Sequence, residues 1–363
     1  SKIHQTSILD ASKKTFEANL VFALCREYPN EYGEKIANIA LNTYVNQCGQ
    51  ATLATAEASR ENGNSPNTVV SGAVAIVGKK MVASAMDASN VLMDLFQFSK
   101  LNNAMDSFNY DEQLKTAKAN KDTLLAGPDD KLSDSVAACL SKDTQSVFIK
   151  FLLDFSKQEG SKPSTDAMIA AIWTTLGWSG MKSKKITKGT ICRLPWYSRI
   201  YSTIVGVAAS ADKHGEGSFC GIELGELISG FSFTRTAFLS LMGREPTDDE
   251  LFEFQVLLGL IITNGPGTIS AQGSKGAVSA DGPEMPDRVQ VNKAFIGFLT
   301  HTGFAHGGNG YEAAAFLIEQ FKDTNLKAAD DKNHGLDLDA MALEYSKTYK
   351  DYKSQDSIYN IGA

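Results

Sequence analysis

The sequence predicts an all-α protein, a helical N-terminal region followed by a large helical domain, and three observations carry that prediction. Apolar residues recur at the three- and four-residue spacing of a buried helix face through the first 160 positions, alternating strand patterns are scarce, and a complete helix-start signature stands at Thr247-Asp248-Asp249-Glu250. With 363 residues, 43% of them hydrophobic, the chain has the length for one large domain or two and enough apolar material for a sizeable core.

Phe16, Leu20 and Leu24, spaced by four, open the series, and Ile36, Ile39, Ala40, Tyr44 and Cys48 continue it. The breaker cluster Glu61-Asn62-Gly63-Asn64-Ser65-Pro66 ends that run. From Val69 to Phe98 the helical pattern resumes through Ile76, Met81, Ala85, Ala88, Leu92 and Leu95, and Ala126-Gly127-Pro128-Asp129-Asp130 punctuates the helices that follow. The polar stretch Gln158-Glu159-Gly160-Ser161-Lys162-Pro163-Ser164 is expected to divide a helical region of unassigned role, 1–160, from a second domain, 161–345, with a polar tail at 346–363.

Lys182-Ser183-Lys184-Lys185 with Lys188, Arg193 and Arg199 concentrates positive charge on an acidic chain; a solvated loop and a site for a polyanionic phosphate group are both open readings. Beyond it, Ile222, Leu227 and Ile228 form one short apolar stripe and Phe233, Ala237, Phe238 and Leu241 another, ended by the turn Gly243-Arg244-Glu245-Pro246. In Thr247–Glu250 the Thr hydroxyl is placed to accept from the amide three residues on, and Glu250 to reach back, with acidic residues at the positive end of the helix dipole. Leu251, Phe254, Leu258 and Ile261 are the expected buried face of that helix.

Composition excludes several function classes. The chain has 35 basic against 42 acidic side chains and no block of five like charges, so neither nucleic acid nor an anionic membrane surface is an expected partner. The longest apolar run, Val69 to Gly78, covers about half of the ~20 residues a membrane span needs, and no signal peptide or transmembrane helix is read. Cys25, Cys48, Cys139, Cys192 and Cys220 are odd in number and never in a C-x-x-C pair, which fits reduced thiols in a cytoplasmic protein.

Two segments place polar, flexible sequence between apolar helices: Thr263-Asn264-Gly265-Pro266-Gly267-Thr268, and His301-Thr302-Gly303-Phe304-Ala305-His306-Gly307-Gly308-Asn309-Gly310 ahead of a helix through Tyr311, Ala315, Ile318 and Phe321. Glycines there let backbone approach a ligand, and free amides at a following helix start suit an anion or a developing oxyanion. Neither segment has the glycine spacing of a dinucleotide or Walker loop. His306, flanked by glycine just before a helix, is the candidate functional histidine; the bland alternative is a helix-end histidine satisfied by backbone. His301 closes the apolar run Ala294, Phe295, Phe298 and Leu299 and reads as structural, His214 as an exposed-loop candidate, and His4 and His334 carry no signal. No G-x-S-x-G elbow supports a serine hydrolase, no clustered ligands support a metal, and the pairs Asp129-Asp130, Asp248-Asp249 and Asp330-Asp331 read as caps and solvated faces.

Across roughly residues 185 to 325 the chain resembles the citrate synthase superfamily, which includes the citryl-CoA lyase module of ATP-citrate lyase. The resemblance is carried by Cys220-Gly221-Ile222-Glu223-Leu224-Gly225-Glu226-Leu227, by Phe233 to Pro246 ending in MGREP, by Asp249-Glu250-Leu251, and by GFAHGGNGYEAA from Gly303 to Ala314, similar to the family's G-P-A-H-G-G-A-N-E-A-A. It implies an all-α fold, a dimer built through packed helices, and Claisen-type carbon-carbon bond formation or cleavage on a CoA thioester, with no tightly bound cofactor. His306 is the implied catalytic residue, hydrogen-bonding the thioester carbonyl as it becomes an enol. Asn264, Gly265, Gly307, Gly308 and Asn309 are the implied substrate and CoA contacts.

Two departures follow. Asn264, which can hold a carbonyl but supplies no positive charge, stands where the family places a substrate-binding histidine. The family's later G-x-G-H loop, catalytic aspartate and carboxylate-clamping arginines would fall about where this sequence stops, at Tyr359 to Ala363. The expectation is therefore an acyl-CoA lyase or synthase completed by a second chain or a continuation. The alternative is a non-catalytic subunit acting in oligomerisation, ligand sensing or scaffolding. Expected partners are a CoA ester or carboxylic acid and further chains in a homo- or hetero-oligomer.

Overall fold

The computed structural model describes residues 2–4, 6–263, 265–282, 289–303, 306–307, 310–325 and 335–355. Its contacts divide into two units, Ser1–Gly303 and Phe304–Ala363.

The first unit opens with a two-stranded antiparallel ribbon, β1 (Lys2–Ile3) and β2 (Thr6–Ser7), and the short α1 (Ile8–Ala11). Thr15 starts α2 (Phe16–Cys25) by accepting from the Ala18 amide at 3.1 Å, and Asn30 does the same for α3 (Glu31–Asn42) through the Gly33 amide at 2.8 Å. Then come α4 (Ala51–Glu61), α5 (Pro66–Ile76), a 3₁₀ turn at Lys79–Val82, α6 (Ala83–Phe96), α7 (Asp111–Ala117), α8 (Lys121–Leu124), α9 (Ser133–Ser141) and α10 (Val147–Gln158). The apolar pattern from Val69 to Phe98 is thus two helices, meeting at a 65° bend beside Gly78. Among the described residues no single helix is long and apolar enough to cross a membrane, although this bent pair passes the same test by length and composition.

The centre of the unit is α11 (Thr165–Lys182), packed on α3, α6, α10 and α12 (Lys188–Ala208). Trp173 and Trp178 on α11 are fully buried; the Trp178 indole donates to the Leu101 carbonyl at 3.2 Å and its ring lies 4.9 Å from that of Phe148. Phe148 and Phe151 each set an edge against Phe96, at 5.1 and 5.2 Å. Full burial of each such ring contributes on the order of 2–3 kcal/mol, so this aromatic knot is a large part of what fixes α6, α10 and α11. Polar side chains in the core tie elements together: Ser202 on α12 donates to the Leu41 carbonyl at 2.6 Å, and the Asn42 amide to the Phe231 carbonyl at 2.8 Å.

The core does not stop at the 160/161 boundary expected from sequence. One buried cluster runs from Leu20 to Leu239, because α11 is enclosed by helices from before that point. The polar stretch at 158–164 is only the turn between α10 and α11, closed by Ser164 accepting from the Ala167 amide at 3.1 Å.

After α12, the hairpin β3 (Ser218–Phe219) and β4 (Ile222–Glu223) turns through Cys220 and Gly221, both left-handed with φ of 49° and 81°. Two consecutive positive φ values make the primed turn whose twist matches the strands. Then follow α13 (Leu224–Gly230), α14 (Phe233–Met242), α15 (Asp248–Ile261), α16 (Ile269–Ser279) and α17 (Val291–Thr300). The capping box at α15 is complete: the Glu250 amide donates to Thr247 Oγ1 at 3.2 Å and the Thr247 amide to Glu250 Oε2 at 2.9 Å. Its expected buried face is realised in part, since Ile261 is 63% exposed while Phe254 meets Phe238 edge-on at 5.7 Å.

The second unit holds α18 (Gly310–Phe321) and α19 (Leu338–Gln355), with Phe316 of one against Tyr345 of the other at 3.8 Å. The stretch expected as a tail from 346 is helical as far as Gln355.

Candidate functional site

Of the residues singled out from sequence, Asn264, Gly308 and Asn309 lie outside the described residues, as do His334 and the Asp330-Asp331 pair. Gly265 belongs to the first unit and His306 with Gly307 to the second.

Around Gly265 the chain makes a tight turn into α16. Gly265 has φ +79°, a conformation that side chains resist, and its carbonyl accepts from Thr268 Oγ1 at 3.0 Å. The same Thr268 hydroxyl accepts from the Ala271 amide at 3.4 Å and so starts α16. The Pro266 carbonyl is held from the helix by Gln272 Nε2 at 3.0 Å and Lys275 Nζ at 2.8 Å.

Behind this turn, α16 and α17 cross at a glycine pair. A Cβ on Gly273 would lie 2.3 Å from the Gly297 carbonyl oxygen, and one on Gly297 would lie 2.5 Å from the Gly273 oxygen. Beside the contact is an open slot of about 720 Å³ lined by Ile269, Ala277 and Ile296 and by the polar Gln272, Lys293 and His301. His301 Nδ1 lies 2.8 Å from the Gly297 carbonyl, which uses that nitrogen as donor and leaves Nε2 as the acceptor. Lys293 is tied to Asp281 at 2.6 Å.

His306 is half-buried and precedes Gly307, exposed and at φ +96°; α18 begins at Gly310. The imidazole therefore sits next to a backbone conformation that glycine alone adopts readily, a few residues ahead of a helix N-terminus.

Comparison with protein-family models, with curated proteins and with solved structures finds no match to this chain. The helical architecture and the local geometry stand on their own.

Two other sequence candidates are placed differently from expectation. His214, read as an exposed-loop residue, is 8% exposed: its Nδ1 accepts from the Gln47 amide at 3.0 Å and its Nε2 donates to the Gly206 carbonyl at 3.1 Å. The loop carrying it folds back onto α12, and burial lowers its pKa, so the ring is a neutral strut. The basic concentration at 182–199 is not a loop but spans the end of α11 and the start of α12. Its charges diverge: Lys185 pairs with Glu27 at 2.9 Å, Lys188 with Asp94 at 2.5 Å, Lys182 lies 5.5 Å from the Trp178 ring, and Arg199 stacks on Tyr44 at 4.0 Å inside the unit.

Arg199 belongs to a cluster that sequence reasoning missed. Tyr44 donates to Asp166 at 2.5 Å, and both line a cleft of about 580 Å³ with Asp87, Asp122, Asp129 and Asp130. Burial holds the Asp166 carboxyl above its ordinary range and the Tyr44 hydroxyl well above its own, and lowers Arg199. Asp130 is occupied by the Thr165 amide at 2.7 Å and hydroxyl at 2.5 Å, which makes it a structural acceptor. The three members come from α11, α12 and the end of α3, and no local spacing connects them. Among the described residues, no group of three or more His, Cys, Asp or Glu side chains forms a metal site.

Proposed function

We propose that this chain acts on a CoA thioester by Claisen-type chemistry, with His306 as the hydrogen-bond donor to the thioester carbonyl. The observation that carries the reading is the His306-Gly307 pair: a half-buried imidazole directly before a glycine at φ +96°, ahead of α18. A donor aimed at that oxygen stabilises charge that grows from carbonyl to enolate, so its contribution is larger in the transition state than in the ground state. The ordered series of segments from Cys220 to Ala314 supports the same reading. His306 is given the carbonyl alone; the α-proton is left to a carboxylate from a second chain or from a continuation of this one, since no aspartate between His306 and Ala363 matches the family's catalytic one. All five cysteines are unpaired, which favours a reducing compartment such as the cytoplasm.

A second reading, a non-catalytic subunit that binds or senses a CoA ester, is favoured by Asn264, which brings no positive charge to a carboxylate. Solvent exchange separates the two. In deuterated buffer the assembly purified from its source, with any co-purifying chain, should exchange the methyl protons of acetyl-CoA, and the same assembly carrying His306→Ala, with its far-UV circular dichroism unchanged, should not. Binding of acetyl-CoA without exchange by the wild type would favour the second reading; neither binding nor exchange would overturn both.

A further inference from the structure

We draw no further inference here: the strongest candidate, the acidic cleft beside the start of α11 lined by Tyr44, Asp87, Asp122, Asp129 and Asp166, is a cluster of carboxylates at which nothing among the described residues points to a ligand.

Discussion

The α16–α17 crossing can be tested by making one substitution at two glycines of the same helix. At Gly276 an added Cβ meets nothing within 4 Å, so Gly276→Ala only exchanges a poor helix residue for the best one and should stabilise the helix by about 0.5–1 kcal/mol. Gly273→Ala has the same propensity gain, but its Cβ would lie 2.3 Å from the Gly297 carbonyl oxygen, against an ordinary contact above 3.4 Å. His301, also 2.3 Å away, can rotate; the carbonyl sits on helix backbone and cannot, so the two helices must part by about 1 Å. Overpacking of this kind costs about 1–3 kcal/mol, and an overlap with rigid backbone puts it at the upper end. Gly273→Ala should therefore destabilise by about 1–2 kcal/mol net, some 2–3 kcal/mol away from its neighbour. Native-state hydrogen exchange on the α16 and α17 amides reads the opening free energy of this pair without assuming that the whole chain unfolds as one. Changes of the same sign at both positions, or a difference under about 1 kcal/mol, would refute the close crossing and with it the slot that the crossing shapes.

Two buried titratable groups give predictions whose sign follows from their surroundings. Glu17 on α2 is fully buried and accepts from the Thr234 amide at 2.7 Å and hydroxyl at 2.9 Å; burial raises its pKa. A raised carboxyl favours the fold below the unfolded value near ~4.3 and loses that advantage as pH climbs through the folded one. Glu17→Gln should thus unfold at higher urea than the wild type at neutral pH and at the same urea near pH 4; a less stable Gln variant at neutral pH would show that the carboxylate's hydrogen bonds outweigh its burial. For His214 the lowered pKa runs the other way, and wild-type stability should fall as pH drops below ~6.5 through the folded value. His214→Gln, able to accept from Gln47 and donate to Gly206, should flatten that part of the urea-midpoint profile, and an unchanged slope would assign it to other groups.

What the sequence revealed and what it hid follow the physics of each segment. Helix α3 was legible because one face meets the core and the other meets water, and the start of α15 because it carries a cap: Ile36, Ile39 and Ala40 are buried as their spacing requires, and Thr247 with Glu250 forms the box that its spelling announces. Helix α11 was not legible, because burial on nearly every side erases the period that marks a half-buried helix. The lysines at its end drew attention to charge at a place where the structure has a helix junction. The bend at Gly78 was hidden by apolar residues that continue across it, and His214 by the polar residues around it, whose loop closes on Gly206, where a Cβ would lie 2.1 Å from the Val45 oxygen. In the two candidate segments, Gly265 and Gly307 hold positive-φ backbone, φ +79° and +96°. The cluster of Tyr44, Asp166 and Arg199 is a tertiary product and has no sequence signature.

The continuity of the core past residue 160 has a consequence for how the chain is made. A ribosome releases α2 to α10 before α11 and α12 exist, so the surfaces of Ile36, Phe96, Phe148 and Phe151 leave the exit tunnel without the helix that later encloses them. Trp178 arrives on that one late helix and sets its ring against Phe148, joining the aromatic knot only after the phenylalanines are made. Stalled synthesis, or a truncation anywhere before Lys182, strands a hydrophobic half-shell of the kind that chaperones bind and that aggregates when they do not.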